Sequence, residues 1–247
     1  MYVLSWRDVS LRYKQTAIGV SWALLQPIVT VAVFTVVFGR LAKMPSDGVP
    51  YPLLVFGGML PWQFFANALS SSGQSLVNNA NLVSKVYFPR LIIPASTIGT
   101  SLVDFLVSFS LMVIMMFCYH SAPSWRIILL PVFALLAFAT ALGPGLLVTA
   151  MNVKYRDFRY LLPFIVQFGA YVSPVGFSSA VVPQQWRLLY SLNPLVGLID
   201  GFRWTLFGER YSLYLPGFFV SLAVAAALLF LGIWYFRQTE RTFADII

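Results

Sequence analysis

Long apolar stretches separated by short polar ones run through the whole chain. Six of them come close to the roughly 20 residues a helix needs to cross a hydrocarbon core: 18–38, 53–72, 94–119, 127–148, 161–177 and 216–236. None alternates apolar and polar residues as a barrel strand does. The pattern therefore predicts helices, which satisfy their backbone groups internally. The expected fold is an all-α polytopic membrane protein with six transmembrane helices, forming a single domain over 1–247.

Two segments do not read as spans. Over 1–17, Tyr2, Trp6, Val9, Tyr13 and Ala17 recur at helical spacing on one face, flanked by Arg7 and Lys14 and opposed by Asp8, Arg12 and Gln15. An aromatic stripe edged with cations suits a helix lying in the membrane interface; a soluble cap on the domain is the alternative. Over 178–215 the chain is too long for a turn and too polar to cross. Asn193-Pro194 is a helix start and Gly208 a helix stop. The helix between them would be ~21 Å long, short of the ~30 Å core. A re-entrant or interfacial hairpin between the fifth and sixth spans is expected.

Composition narrows the class further. Of 247 residues, 59% are hydrophobic and 10% charged, against about 25% charged in a soluble domain. The net charge of +8 would suggest nucleic acid in a soluble protein. Here the cations sit in short loops, so topology and anionic lipid headgroups account for them, and no nucleic-acid partner is expected. With both termini inside, the inner segments hold ten Lys and Arg and the outer ones six, which favours cytoplasmic termini. Cys118 is the only cysteine and His120 the only histidine, so neither an internal disulfide nor a metal site is expected. The first apolar run is longer than a cleavable leader's, so no signal peptide is expected.

Polar residues within the spans are candidates for function. Gln63, Asn67, Ser70, Ser71 and Gln74 recur on one face of the second span, and Thr97, Ser101, Asp104 and Ser108 on one face of the third. Such faces avoid lipid and turn toward protein or water, so they line a pathway or glue helices together. Asp104 falls near mid-span, where an acid is functional or paired; a secondary transporter could use it. Tyr160, Phe164, Phe168 and Tyr171 form an aromatic stripe on the fifth span, which either packs the bundle or offers stacking faces to sugar rings. No G-x-x-x-x-G-K-[ST] phosphate loop and no nucleophile elbow occurs. A transport subunit energised by another chain therefore reads better than an enzyme.

Several motifs, in order, resemble one family. Trp6-Arg7-Asp8 with Leu11-Arg12-Tyr13-Lys14, then Gly19 and Trp22-Ala23-Leu24-Leu25-Gln26-Pro27, is similar to its opening. Lys85-Val86-Tyr87-Phe88-Pro89-Arg90 and Asn152-Val153-Lys154-Tyr155-Arg156-Asp157 resemble its two cytoplasmic loops. Ser173-Pro174-Val175, Val182-Pro183, Asn193-Pro194, Gly201-Phe202-Arg203 and the closing Glu240-Arg241-Thr242-Phe243-Ala244-Asp245 complete the set. The chain thus resembles the permease subunits of ABC type-2 exporters for O-antigen, capsule and teichoic-acid polysaccharides. The resemblance implies a homodimer in the bacterial inner membrane, two copies of a separate ATPase that binds ATP and Mg, and an undecaprenyl-pyrophosphate-linked glycan as cargo. It strengthens the aromatic stripe as a glycan path, and with the polar stripe of the second span the candidate substrate path includes Gln63, Asn67, Phe164, Phe168 and Tyr171. Arg7, Arg12, Lys14, Lys85 and Arg90 are candidate partners of the lipid pyrophosphate. Tyr87, Phe88, Pro89, Tyr155, Arg156 and Asp157 are candidates for coupling to the ATPase. A permease of the same type for drugs or small lipids is the alternative.

Overall fold

A computed structural model describes residues 17–85, 89–155, 157–240 and 243. Among these there are helices and no strand. α1 (Ala17–Phe34) runs on through a π-helical stretch, Thr35–Leu41. α2 (Tyr51–Asn78) begins behind Pro50 and has Pro52 in its first turn, where the missing N–H interrupts no helical bond. A short α3 (Ala80–Lys85) follows. Then come α4 (Ile92–Cys118) and α5 (Leu130–Lys154), the latter led in by a 3-10 turn at Trp125–Leu129. The chain closes with α6 (Phe158–Val172), α7 (Gln184–Tyr190), α8 (Pro194–Phe207) and α9 (Leu215–Thr239).

Four helical stretches are long and apolar enough to cross a membrane: Tyr51–Asn78, Ile92–Cys118, Trp125–Lys154 and Leu215–Thr239. Two further apolar ones, Pro27–Leu41 and Phe158–Val172, are shorter. α6 has 15 residues and reaches ~22 Å, short of a ~30 Å core. The expected fifth run, 161–177, is truncated because Ser173 precedes Pro174 and takes an extended ψ of 150°. The expected interfacial helix over 1–17 lies, except for Ala17, outside the described residues.

The ends of the helices sort into two layers. Leu76 at the end of α2, Ile93 at the start of α4, Val153 at the end of α5 and Phe236 near the end of α9 share one small apolar cluster. At the opposite layer the Ser124 N–H donates to the Leu206 carbonyl and the Tyr51 hydroxyl to the Gly176 carbonyl. Consecutive apolar helices therefore run up and down between a layer that holds Phe236 near the end of α9 and a layer that holds the 178–215 hairpin.

α2 is the hub. Leu53, Leu54, Phe56 and Phe64 on it, Phe105 on α4, Ala141 on α5 and Phe202 and Leu206 on α8 belong to one buried cluster. Phe105 meets both Phe64 and Phe202 edge-on, with centroids 5.8 Å apart in each pair, the arrangement ring quadrupoles favour. Polar atoms tie the same helices together. Thr149 donates to the Ser72 carbonyl at 2.7 Å and Asn152 to the Gly73 carbonyl at 2.8 Å. Between α5 and α9 the backbones approach closely; a Cβ on Gly143 would stand 2.6 Å from the Leu228 backbone.

Candidate functional site

The aromatic stripe faces out of the subunit. Leu162 is the buried residue of α6, seated over Gly73 of α2, while Gly169 on the same face lies against the Trp62 ring. Tyr160, Phe164, Phe168 and Tyr171 occupy the opposite face and are 58–73% exposed. Phe164 and Phe168 stack, with centroids 6.1 Å apart and planes 15° from parallel. Four of the five rings of α6 are thus presented outward as a ladder, with Phe158 half-buried on the side of Leu162, and Gly169 is kept for the contact with α2.

Gln63, Asn67, Ser70, Ser71 and Gln74 are half-buried on α2. At about 100° per residue, Gln63, Asn67, Ser70 and Gln74 centre roughly 100° around the helix from the Trp62–Gly73 side that carries α6. Within one subunit the polar and aromatic stripes therefore do not face each other. The polar stripe of α4 is largely self-satisfied. Thr97 donates to the Pro94 carbonyl at 2.8 Å and Ser101 to the Thr97 carbonyl at 3.3 Å, the back-bonding that lets such residues sit in a membrane helix. Asp104 is half-buried.

At the layer of Phe236, Arg90 donates to the Glu240 carbonyl, and Pro89 is exposed. Tyr155 is exposed, with the Lys154 ammonium 5.2 Å from its ring and Phe158 6.5 Å away. Asp157 stands exposed at the N-terminal end of α6. Lys85 is the last residue of α3. Arg7, Arg12, Lys14, Tyr87, Phe88 and Arg156 lie outside the described residues.

The hairpin holds a polar cluster that the sequence pattern did not single out. α8 begins where expected: the Asn193 side chain accepts from the Leu195 N–H, and the helix ends on Gly208, whose φ of 62° suits a residue without Cβ. This helix is almost wholly buried and yet carries Asp200 and Arg203. Arg203 is fully buried. Its Nε donates to the Leu54 carbonyl at 3.0 Å, Nη1 to Phe177 at 2.9 Å and Nη2 to Val175 at 2.9 Å. Room for the guanidinium comes from Gly58 of α2, where a Cβ would overlap it.

Asp200 accepts from the Ser179 hydroxyl at 2.5 Å and from the Tyr211 hydroxyl at 2.7 Å. Burial pushes the Asp200 carboxyl up, opposed by those two donors and by the Arg203 charge. Burial, then the neighbouring Asp200, pushes the Tyr211 phenol up to about 12. Further bonds widen the knot: Ser178 donates to Asp47 at 2.6 Å, Asn193 to Ser173 at 3.0 Å and Ser221 to the Ser191 carbonyl at 2.8 Å. One guanidinium and its neighbours thereby bind the loop before α2, the start of α2, the segment after α6 and α8 into a single unit. A signal for it was present: an acid and a base three apart in an otherwise apolar helix share one face.

Among the described residues no group of three or more His, Cys, Asp and Glu could hold a metal ion. The structure presents an outward ladder of rings on α6, a half-buried polar stripe on α2 and a hydrogen-bonded hairpin.

Comparison with known proteins agrees. The chain is 25% identical over 244 residues to the O-antigen export system permease protein RfbA of Myxococcus xanthus, covering 98% of this chain and 92% of that one. It is 24% identical over 257 residues to the O-antigen export system permease protein RfbA of Klebsiella pneumoniae, covering 100% and 94%. It is 22% identical over 247 residues to the polysialic acid transport protein KpsM of Escherichia coli, covering 95% and 91%. The family description "ABC-2 type transporter" matches residues 1–207, most of the chain, and the chain belongs to that membrane family.

Proposed function

We propose that this chain is the membrane subunit of an ATP-driven exporter, and that two copies pass a lipid-linked polysaccharide between them across the bacterial inner membrane. The observation that carries the reading is the α6 ladder, with its rings turned out of the subunit rather than into its core. Lipid contact asks only for aliphatic bulk. A polymer of sugars asks for more, because its hydroxyls cannot cross hydrocarbon unsatisfied. Flat apolar ring faces next to polar groups let a glycan slide without a deep binding minimum. Two ladders of Phe164, Phe168 and Tyr171 would wall a channel at the axis between copies, with Gln63 and Asn67 bordering it from α2. The relatives' roles in O-antigen export and polysialic acid transport support the cargo class.

In this reading six helices cross the membrane, both termini are cytoplasmic and the 178–215 hairpin is re-entrant from the outer side. ATP and Mg are bound by two copies of a partner ATPase, which docks on the loops carrying Tyr87, Phe88, Pro89, Tyr155, Arg156 and Asp157. The undecaprenyl pyrophosphate of the glycan enters beside Arg7, Arg12, Lys14, Lys85 and Arg90, whose cations can fork onto phosphate oxygens.

Crosslinking tests this. The exposed Cys118 is first replaced by serine, and Phe168→Cys is then introduced. A bifunctional maleimide should join two copies through residue 168 and stop export of the lipid-linked glycan. Monomers that remain uncrosslinked while residue 168 is labelled by a lipid-soluble maleimide would place the ladder in lipid and overturn the channel assignment.

A further inference from the structure

A cavity of about 240 Å³ opens within the hairpin, between α7, α8 and the first turn of α9. Asp200, Ser179, Arg187, Tyr190, Ser212 and Tyr214 line it. No residue of α6 lines it, and it was not part of the channel proposed above.

The chemistry of the lining is mixed and preset. The Asp200 carboxylate, only 5% exposed, is fixed by hydroxyls from Ser179 and Tyr211. Its remaining lone pairs can accept from a ligand without the group having to reorient. Arg187 is held in plane by its own bonds, Nε to the Val182 carbonyl at 2.9 Å and Nη2 to the Ala180 carbonyl at 2.7 Å, with the Tyr214 ring 6.0 Å away. The Tyr190 hydroxyl is buried and meets no hydrogen-bond partner among the described residues. Tyr190 thus gives the wall its ring, and the polar contacts to a ligand fall to Asp200, Arg187 and the serines. The serines add donor-acceptors, and Tyr214 and Phe218 add apolar ring surface.

Charge and size then select the ligand class. One acid and one base leave the lining near neutrality, and the buried carboxylate repels phosphate. At ~30 Å³ per water the space holds about eight waters, enough for a six-membered ring with its hydroxyls and too little for a chain. We propose that this cavity binds one sugar ring in each subunit, the size of a single terminal residue of a glycan. The proposal rests on the export reading for its biological ligand, but sugar binding itself can be measured alone.

The experiment uses the complete permease–ATPase complex in lipid nanodiscs. Saturation-transfer NMR is recorded with free glucose, galactose, mannose and N-acetylglucosamine, with inorganic phosphate as the anionic control. At least one sugar should saturate in the millimolar range, and phosphate should not compete. Ser212→Trp, on the exposed rim, fills the mouth without touching the Asp200 bonds and should weaken that sugar at least tenfold; Asp200→Asn should weaken it as well. Failure of all four sugars to bind, equal binding by Ser212→Trp, or preference for phosphate overturns the proposal. Stimulation of ATP hydrolysis by lipid-linked glycan is measured on the same sample. Intact stimulation without sugar binding removes the cavity alone, whereas lost stimulation with sugar binding retained removes the export reading and leaves the cavity standing.

Discussion

Arg203→Ala should destabilise this protein by about 3–5 kcal/mol, the range for removing one partner from a buried charge cluster. Three bonds are lost, to the carbonyls of Leu54, Val175 and Phe177. Bonds to a charged donor are worth about 1.5–3 kcal/mol each, so the gross loss exceeds the lower bound even after relaxation. Val175 and Phe177 lie on an irregular segment, where no helical neighbour can take over their carbonyls. Asp200 would also lose its nearby positive charge while keeping its burial. At about 2–4 °C per kcal/mol for a chain of this size, the melting temperature should fall by roughly 6–20 °C. Arg203→Lys keeps the charge, but one ammonium cannot span three carbonyls, so its loss should be intermediate. The assay is fluorescence-detected size exclusion of detergent-solubilised protein after stepped heating, with the outward-facing Phe230→Ala as the control for a mere loss of bulk. If Arg203→Ala melted within about 2 °C of the parent, or Lys served as well as Arg, the guanidinium would not be the tie described here.

Three further outcomes are expected. Replacing Phe88 and Arg156 together by alanine should leave ATPase binding measurable but separate hydrolysis from export, as rotation is transmitted through short rigid contacts; unchanged export with both replaced would disprove the coupling role. Removing the charges of Arg7, Arg12, Lys14, Lys85 and Arg90 should abolish stimulation by the lipid-linked substrate while pulldown still shows two joined copies, and surviving stimulation would mean another site holds the anchor. The third concerns pH. Burial raises the folded Asp200 pKa above 3.8, so the folded state holds the proton more tightly than the unfolded one, and its contribution is fully present below 3.8 and lost as pH rises through the folded value. The melting-temperature advantage of the parent over Asp200→Asn should therefore shrink as pH rises above 3.8; a gap that widened would reverse the assigned direction.

Much of this architecture is written in local patterns. Runs of apolar residues gave the helices, because a backbone in hydrocarbon has no other way to satisfy its own groups. Asn193, Pro194 and Gly208 gave the limits of α8 to the residue, because capping depends on the few atoms adjacent in sequence. The α6 ladder was visible as a period, since 3.6-residue spacing is a local property. What it faced was not visible: Leu162 over Gly73 and Gly169 on Trp62 decide that the rings turn outward, and those contacts join residues about 90 to 107 positions apart in the chain. Arg203 makes the same point more sharply. In the sequence it is one of several outer-side cations, to be counted toward topology. Only the fold brings carbonyls from positions 54, 175 and 177 to its three nitrogens, because a guanidinium's partners are chosen by proximity in space and carbonyl oxygens are present at every residue. Local chemistry thus determines where helices start, stop and turn an apolar face; which charge becomes a structural tie is decided only when distant backbone closes around it.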